Sequence, residues 1–201
     1  MKEKRIPSWL WGVILGATTD NLGEKGTHTI LRRAGLEKHI GVIPENDGAP
    51  SISTHELSAY QQALFDIFGE EGAKPVLLRA GKVGFRFAQD NLPPVMKAAS
   101  KVLILLPEKK RLEKVLTGFI DVWNDIMGTQ GSVLEEDGNM VIEFCDSPLC
   151  GVLSTQNPAG FVVTGILTEL VGANVGPDYQ IMETMCLAKG DPMCRYRIKR
   201  M

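Results

Sequence analysis

The 201-residue sequence has no dense run of basic residues and no apolar stretch long enough to cross a bilayer. Its formal net charge is -2, and no segment carries the lysine and arginine stripe that would neutralise a phosphate backbone. A membrane-spanning helix needs about 18 uninterrupted apolar residues, and no segment supplies them. We therefore expect neither a nucleic-acid partner nor a membrane span.

Candidate catalytic residues are also scarce. The three histidines, His28, His39 and His55, lie in the N-terminal part, and none sits in a recognisable nucleophile motif. Glycine motifs that bind phosphates or dinucleotides are missing. These absences favour a binding module over an enzyme, and any reductase chemistry would need a cofactor or a partner protein.

The N-terminus loosely resembles a signal peptide, because basic residues precede an apolar stretch over residues 9–17. Glu3, Pro7 and Gly12 interrupt that pattern. We therefore expect a cytoplasmic protein. In a reducing compartment, clustered cysteines are more often metal ligands than disulfides.

An internal repeat occupies the first half of the chain. Residues 22–35 and 68–81 share a Gly-Glu pair, a second glycine, a leucine and an Arg-Ala-Gly ending. We interpret the repeat as a tandem duplication and expect each copy to be a short helix ended by Gly35 or Gly81. Between the copies, Ser53 and Glu56 form a capping box that predicts the start of another helix. Residues 85–94 are expected to be irregular, and the apolar segment 95–106 fits either a helix or a strand.

The second half changes character. Residues 109–127 have apolar positions at helical spacing, which predicts an amphipathic helix ended by Gly128. Two strands around a turn come next, followed by a helix over 157–171 with Asn157 as its N-cap. A terminal hairpin pairs residues 179–186 with residues 194–199.

The order strand, strand, helix, strand, strand predicts an α+β fold with an antiparallel sheet and helices packed on one face. We treat residues 1–201 as a single domain. Residues 1–130 would form its mostly helical part, and residues 131–201 would form the sheet and the metal site.

All four cysteines lie in the last third of the chain. Glu183, Cys186 and Cys194 follow the spacing E-x2-C-x7-C around a Lys-Gly-Asp-Pro turn, which is typical of a hairpin that holds a metal ion. Thiolates and a carboxylate suit tetrahedral zinc, and an iron–sulfur cluster is the alternative. The competing interpretation is that these cysteines are small buried hydrophobic residues, which their clustering makes less attractive.

The ending from Ile181 to Ile198, with the Glu143-Phe144-Cys145 strand and a Gly-rich apolar helix before it, resembles the 4-vinyl reductase domain family. That family is related to ligand-binding domains of nitric-oxide signalling and Golgi-transport proteins, to hydrocarbon-binding proteins and to the sensor domains of phenol-responsive activators. The resemblance implies that fold, with zinc on Glu183, Cys186 and Cys194.

The fourth zinc ligand is where this sequence departs from the phenol-sensing relatives. They place a cysteine at the start of the helix that follows the first two strands, whereas this chain has Ala159 and Gly160 there. Cys150 is the expected substitute, with Cys145 in reserve. Clear equivalents of the histidine and tryptophan that hold phenol are also missing, so phenol is not supported as the ligand.

The resemblance further implies a homodimer that pairs through N-terminal segments. In this chain an apolar segment near the N-terminus, which one small domain would not wholly cover, gives a reason for such pairing. It contains Trp9, Leu10, Trp11, Val13 and Ile14.

Two functions follow as hypotheses. In the first, the protein is a zinc-containing sensor or carrier of a small apolar, aromatic or hydrocarbon-like molecule. Its cavity would lie between the sheet and the helices and would be lined by Phe119, Ile120, Trp123, Phe161 and Ile166; otherwise these residues fill a solid core. In the second, it is an enzyme or accessory protein in the vinyl reduction of a tetrapyrrole of the bacteriochlorophyll type, which only the family name suggests.

Overall fold

The computed structural model describes residues 4–45, 47–92, 102–150 and 152–201. Four long helices and six strands follow one another along the chain. They are β1 (Arg5–Pro7), α1 (Ser8–Arg33), β2 (Pro50–Ser53), α2 (Thr54–Asp90), α3 (Glu108–Met127), β3 (Gly131–Glu136), β4 (Asn139–Phe144), α4 (Phe161–Asn174), β5 (Tyr179–Met185) and β6 (Cys194–Arg200). Short 3₁₀ turns occupy Glu37–His39, Leu103–Leu105 and Leu187–Lys189. Part of the segment 95–106, whose type the sequence leaves open, lies outside the described residues.

The main sheet is four-stranded and antiparallel, in the order β3-β4-β6-β5. Side chains alternate across it: Phe144, Tyr196 and Ile198 are buried on the helix side. On the other face, Arg195 pairs with Glu136 at 2.9 Å and with Glu143 at 3.0 Å. One face is therefore packed and the other is charged, as expected for an antiparallel sheet covered by helices on one side. The predicted α+β fold class is confirmed.

The amphipathic helix α3 matches its sequence pattern closely. It ends at Met127, and Gly128 follows in the left-handed conformation with φ 59°. The capping box at the start of α2 is also present, since the Ser53 hydroxyl accepts from the Glu56 N–H at 3.2 Å and the Glu56 carboxylate accepts from the Ser53 N–H at 2.9 Å. Local signals of this kind act within one helical turn, so the sequence alone is enough to place them.

The internal repeat appears as two β-α units of like design. In each unit a short strand leads into a helix that is broken at a glycine with positive φ, Gly23 at 71° and Gly69 at 70°. The two strands pair antiparallel, and Ile6 lies opposite its repeat equivalent Ile52. This pairing relates the two units by an approximate twofold axis, which supports the duplication.

The helix ends predicted from the repeat are half right. Gly35 follows α1 with φ 69°, as expected after a helix C-terminus. Gly81, however, lies inside α2, which continues to Asp90 through residues that were expected to be irregular. The reason is tertiary: at Gly81 the backbone of α2 touches that of α4, and a Cβ there would lie 2.0 Å from the Val162 carbonyl oxygen.

Two further expectations need correction. Helix α4 begins at Phe161, with Gly160 as its N-cap, and not at Asn157. The Asn157 amide donates instead to the Glu70 carboxylate at 2.9 Å. In the N-terminal segment, Leu10 and Trp11 are fully buried within their own chain, as is Ile14, which removes the sequence-based reason for pairing. None of the described helices is both long and apolar enough to cross a bilayer.

Candidate metal centre and ligand cavity

Four potential metal ligands converge at the end of the terminal hairpin. They come from three places: Glu183 is on β5, Cys186 and Cys194 flank the turn between β5 and β6, and Cys150 is on the loop after β4. Their ligand atoms all lie within 4.8 Å of one another. Around tetrahedral zinc, with Zn–S bonds of about 2.3 Å, neighbouring sulfur atoms are about 3.8 Å apart. The donor set and its dimensions therefore fit a zinc ion.

The turn itself fixes the two hairpin cysteines. The Asp191 carboxylate accepts from the Cys186 N–H at 2.8 Å, and the Leu187 N–H donates to the Cys194 sulfur at 3.4 Å. Gly190 takes φ 93°, which a residue with a Cβ would adopt only under strain. The Lys-Gly-Asp-Pro segment thus forms a turn that presents both sulfurs to the same side.

Glu183 is held at one oxygen and free at the other. Its Oε2 accepts from the Gly160 N–H at 2.7 Å, while its buried Oε1 has no hydrogen-bond partner among the described residues. A Cβ on Gly160 would lie 2.5 Å from Oε1 and 2.0 Å from the Tyr196 hydroxyl. A glycine at this position therefore allows the carboxylate to approach the start of α4. A buried oxygen without a partner, next to three thiols, is where a cation would bind.

The electrostatics of the cluster point the same way. Burial, and next the negative charge of Cys186, raises the pKa of Glu183 to about 8. Hydrogen bonds from Cys150 and Cys194 lower the pKa of the Cys186 thiol, and the hydrogen bond to Cys186 is the largest of the causes that raise the pKa of Cys150. Without a cation, these groups cannot all be ionised in so small a buried volume. A divalent metal ion would stabilise the fully deprotonated set.

Cys145, the reserve candidate, does not join this group. It is exposed at the end of β4, whereas Cys150 is fully buried. The distinction depends on how the loop after β4 folds back to the hairpin, and the spacing Cys-Asp-Ser-Pro-Leu-Cys does not reveal it.

A cavity of about 340 Å³ lies among the helices. Its walls come from α2, α3 and α4, with Trp9 of α1 and the turn residue Leu103 completing them. It thus lies between helices and not, as expected, between the sheet and the helices. Its size falls at the lower end of the range for small-molecule sites, and its lining is mainly apolar.

Three of the five predicted cavity residues, Phe119, Trp123 and Ile166, line it. Ile120 is 4% exposed and faces the hydrophobic core. The ring of Phe161 lies against that of Phe65 at 6.3 Å. On a helix, adjacent residues face different directions, so Phe119 and Ile120 could not both share one wall.

Sequence reasoning missed the contribution that α2 makes to the cavity. Gly84, Phe85, Ala88, Gln89 and Leu92 all line it, although most of them belong to the segment that was expected to be irregular. The signal that could have found them is the spacing of Phe85, Ala88 and Leu92, which is helical.

Comparisons with known proteins agree with this geometry. The chain is similar to the phenol-responsive sensory domain of the transcription activator PoxR, with 21% identity and a TM-score of 0.54 over 74% of this chain and 75% of that one. It is also similar to an H-NOX protein from S. oneidensis, with 13% identity and a TM-score of 0.52 over 94% and 98% of the two chains. A variant of the Tt H-NOX protein gives 11% identity and a TM-score of 0.55 over 97% and 95%.

At these identities the similarity establishes the fold alone, which is that of the ligand-binding domains of nitric-oxide signalling. No curated protein matches the sequence significantly. The family model of the 4-vinyl reductase domain matches residues 140–200, which include β4, α4 and the whole terminal hairpin. The C-terminal part of this chain is therefore a 4-vinyl reductase domain, as the ending of its sequence predicted.

Proposed function

We propose that this protein is a small-molecule-binding module that acts as a sensor or carrier, with the helix-lined cavity as its ligand site. The observation that carries the proposal is the cavity itself, because a solid core would leave no such volume between α2, α3 and α4. The structural neighbour PoxR is a phenol-responsive sensory domain, which supports a sensing role for the shared fold. The two parts of the chain contribute jointly to one hydrophobic core, so we treat residues 1–201 as one functional domain.

The second part of the proposal is a structural zinc ion held by Cys150, Glu183, Cys186 and Cys194. Four protein ligands with no exchangeable position are typical of structural zinc. Gly160 connects this centre to the cavity, because its N–H binds Glu183 and helix α4 begins at the next residue. Zinc would stabilise the start of a helix that forms one wall of the ligand site.

Metal analysis and native mass spectrometry on the purified protein test both parts. We expect about one zinc per chain and, from a cellular extract, a small apolar adduct. Bound flavin, nicotinamide or an iron–sulfur chromophore would instead support an enzyme or an accessory to vinyl reduction. Protein free of metal after zinc reconstitution would contradict the zinc site.

Cysteine variants provide the matched comparison. Cys186→Ser and Cys150→Ser should each lower zinc content and the melting temperature together, since the free energy of metal binding is part of the free energy of folding. Cys145→Ser is the control, because this exposed thiol lies outside the cluster. Equal metal content in Cys150→Ser and Cys145→Ser would remove Cys150 from the ligand set.

The predicted homodimer now rests on the family resemblance alone. Light scattering should give twice the monomer mass if the resemblance extends to assembly. A monomer that persists at high protein concentration would contradict it.

A further inference from the structure

The polar groups of the cavity identify the class of ligand. We propose that the ligand is an amphipathic acid, with an apolar body and a single carboxylate at one end. This inference rests on the proposed function, since it assumes that the cavity is the ligand site, and it adds the chemistry of the ligand's head group.

The cavity is elongated. It follows α3 from Lys114 to Ile126, which corresponds to about 18 Å at 1.5 Å per residue. On α4 it extends from Ile166 to Asn174. A long, narrow apolar space of this kind fits a chain or an extended ring system better than a compact polar molecule.

The polarity of the walls is uneven along this length. Of the described lining residues, Lys114 is the only one with a charge, and no carboxylate is among them. Lys114 and Asn174 lie towards the end where α3 begins and α4 finishes, because Arg111 of α3 bonds the carbonyl of Val175 just after α4. The opposite end of the α3 wall carries Val122 and Ile126.

Positive charge accumulates at the polar end without a counter-ion. Lys110 and Arg111 lie one turn before Lys114 on the same helix, so no acidic residue faces it at helical spacing on that side. In the part of the chain that the structure describes, neither Lys114 nor Arg111 forms an ion pair. The nearby Glu108 is occupied by Arg200 at 3.3 Å and by the Tyr179 hydroxyl at 2.7 Å.

Two further details concern the guanidinium of Arg111. Its Nε is buried and has no hydrogen-bond partner among the described residues. Its Nη2 donates to the Val175 carbonyl at 3.3 Å, which partly neutralises the negative C-terminal end of α4 that would otherwise repel an anion. A carboxylate at this end of the cavity would find Lys114 as its direct partner and Arg111 as a supporting positive charge.

Binding of decanoate and of decanol, measured by displacement of an apolar fluorescent dye, tests the head group. The two probes have the same apolar chain and differ in charge. The parent protein should bind decanoate about tenfold more tightly than decanol, since a hydrogen bond to a charged group adds about 1.5 kcal/mol or more. Lys114→Gln should abolish this preference while leaving the affinity for decanol unchanged.

Lys110→Gln is the matched control, because it removes the same charge from an exposed position on α3 that does not line the cavity. It should keep the preference for decanoate. Equal affinity for the two probes, or a preference that survives Lys114→Gln, would overturn the inference and leave the proposed binding function intact. Failure of both probes and of the dye to bind would overturn the inference and the proposed function together.

Discussion

The contact between α2 and α4 gives the most direct test of how the cavity is built. At this crossing the two helix backbones touch, because Gly81 faces Gly165. A Cβ added to Gly165 would lie 2.2 Å from the carbonyl oxygen of Leu78 and 3.1 Å from the Cα of Gly81. Both neighbours are backbone atoms, so the strain cannot be relieved by a side-chain rotation.

The expected magnitude follows from two opposing terms. Replacing a mid-helix glycine by alanine stabilises a helix by about 0.5–1 kcal/mol. Ordinary van der Waals contact of a Cβ begins near 3.4 Å, so Gly165→Ala would have to separate the helices by roughly 1 Å at their crossing. Overpacking of this kind costs about 1–3 kcal/mol and occasionally more. We expect a net loss of about 2 kcal/mol in the free energy of unfolding.

Gly172 supplies the control on the same helix. It is exposed, and no atom lies within 4 Å of the position that an alanine methyl group would take there, so Gly172→Ala should gain about 0.5–1 kcal/mol. Urea unfolding of both variants measures the difference, and dye binding reports the cavity, because Ile166 lies next to Gly165 and in the cavity wall. If Gly165→Ala were as stable as Gly172→Ala, the close helix contact would be refuted.

Two other perturbations test the cavity wall and the helix cap. Trp123 is 6% exposed but lines the cavity, so Trp123→Ala should cost less than the roughly 3–5 kcal/mol of a solid-core tryptophan and should change dye binding; a full core penalty with unchanged dye binding would contradict the cavity. Burial alone would raise the pKa of Glu56, but hydrogen bonds from Lys38 and Ser53 outweigh it and lower the pKa from 4.5 to about 2. The stability from this lowered pKa is present above pH 4.5 and is lost as the pH falls towards 2, so Glu56→Gln should flatten the acid dependence in that interval, measured by thermal unfolding against the parent.

Sequence reasoning predicted best those features that depend on neighbours in the chain. The capping box at Ser53, the end of α3 at Gly128 and the turn at Gly190 each follow from a few adjacent residues. The convergence of Glu183, Cys186 and Cys194 is of the same kind, because a hairpin brings together residues that are close in sequence.

The failures all involve contacts between distant segments. Gly81 looked like a helix end, since the sequence cannot show that α4 packs against it. Asn157 looked like an N-cap, although its amide is bound by Glu70 from α2. The cavity was placed against the sheet because the wall supplied by α2 depends on where that helix continues. In each case a tertiary contact overrode a correct local preference.

One helix joins the two candidate sites, which gives the metal centre a route of influence on the ligand site. Helix α4 is anchored at its start by the hydrogen bond from Gly160 to Glu183 and in its middle by the contact of Gly165 with α2. Its remaining turns, from Ile166 to Asn174, form one wall of the cavity. Since a helix of 14 residues moves largely as a rigid unit, displacement of its start by metal loss would be transmitted to that wall. The same rigidity means that a ligand pressing on Ile166 would act on the geometry around Glu183, so that ligand affinity and metal affinity should be coupled in both directions.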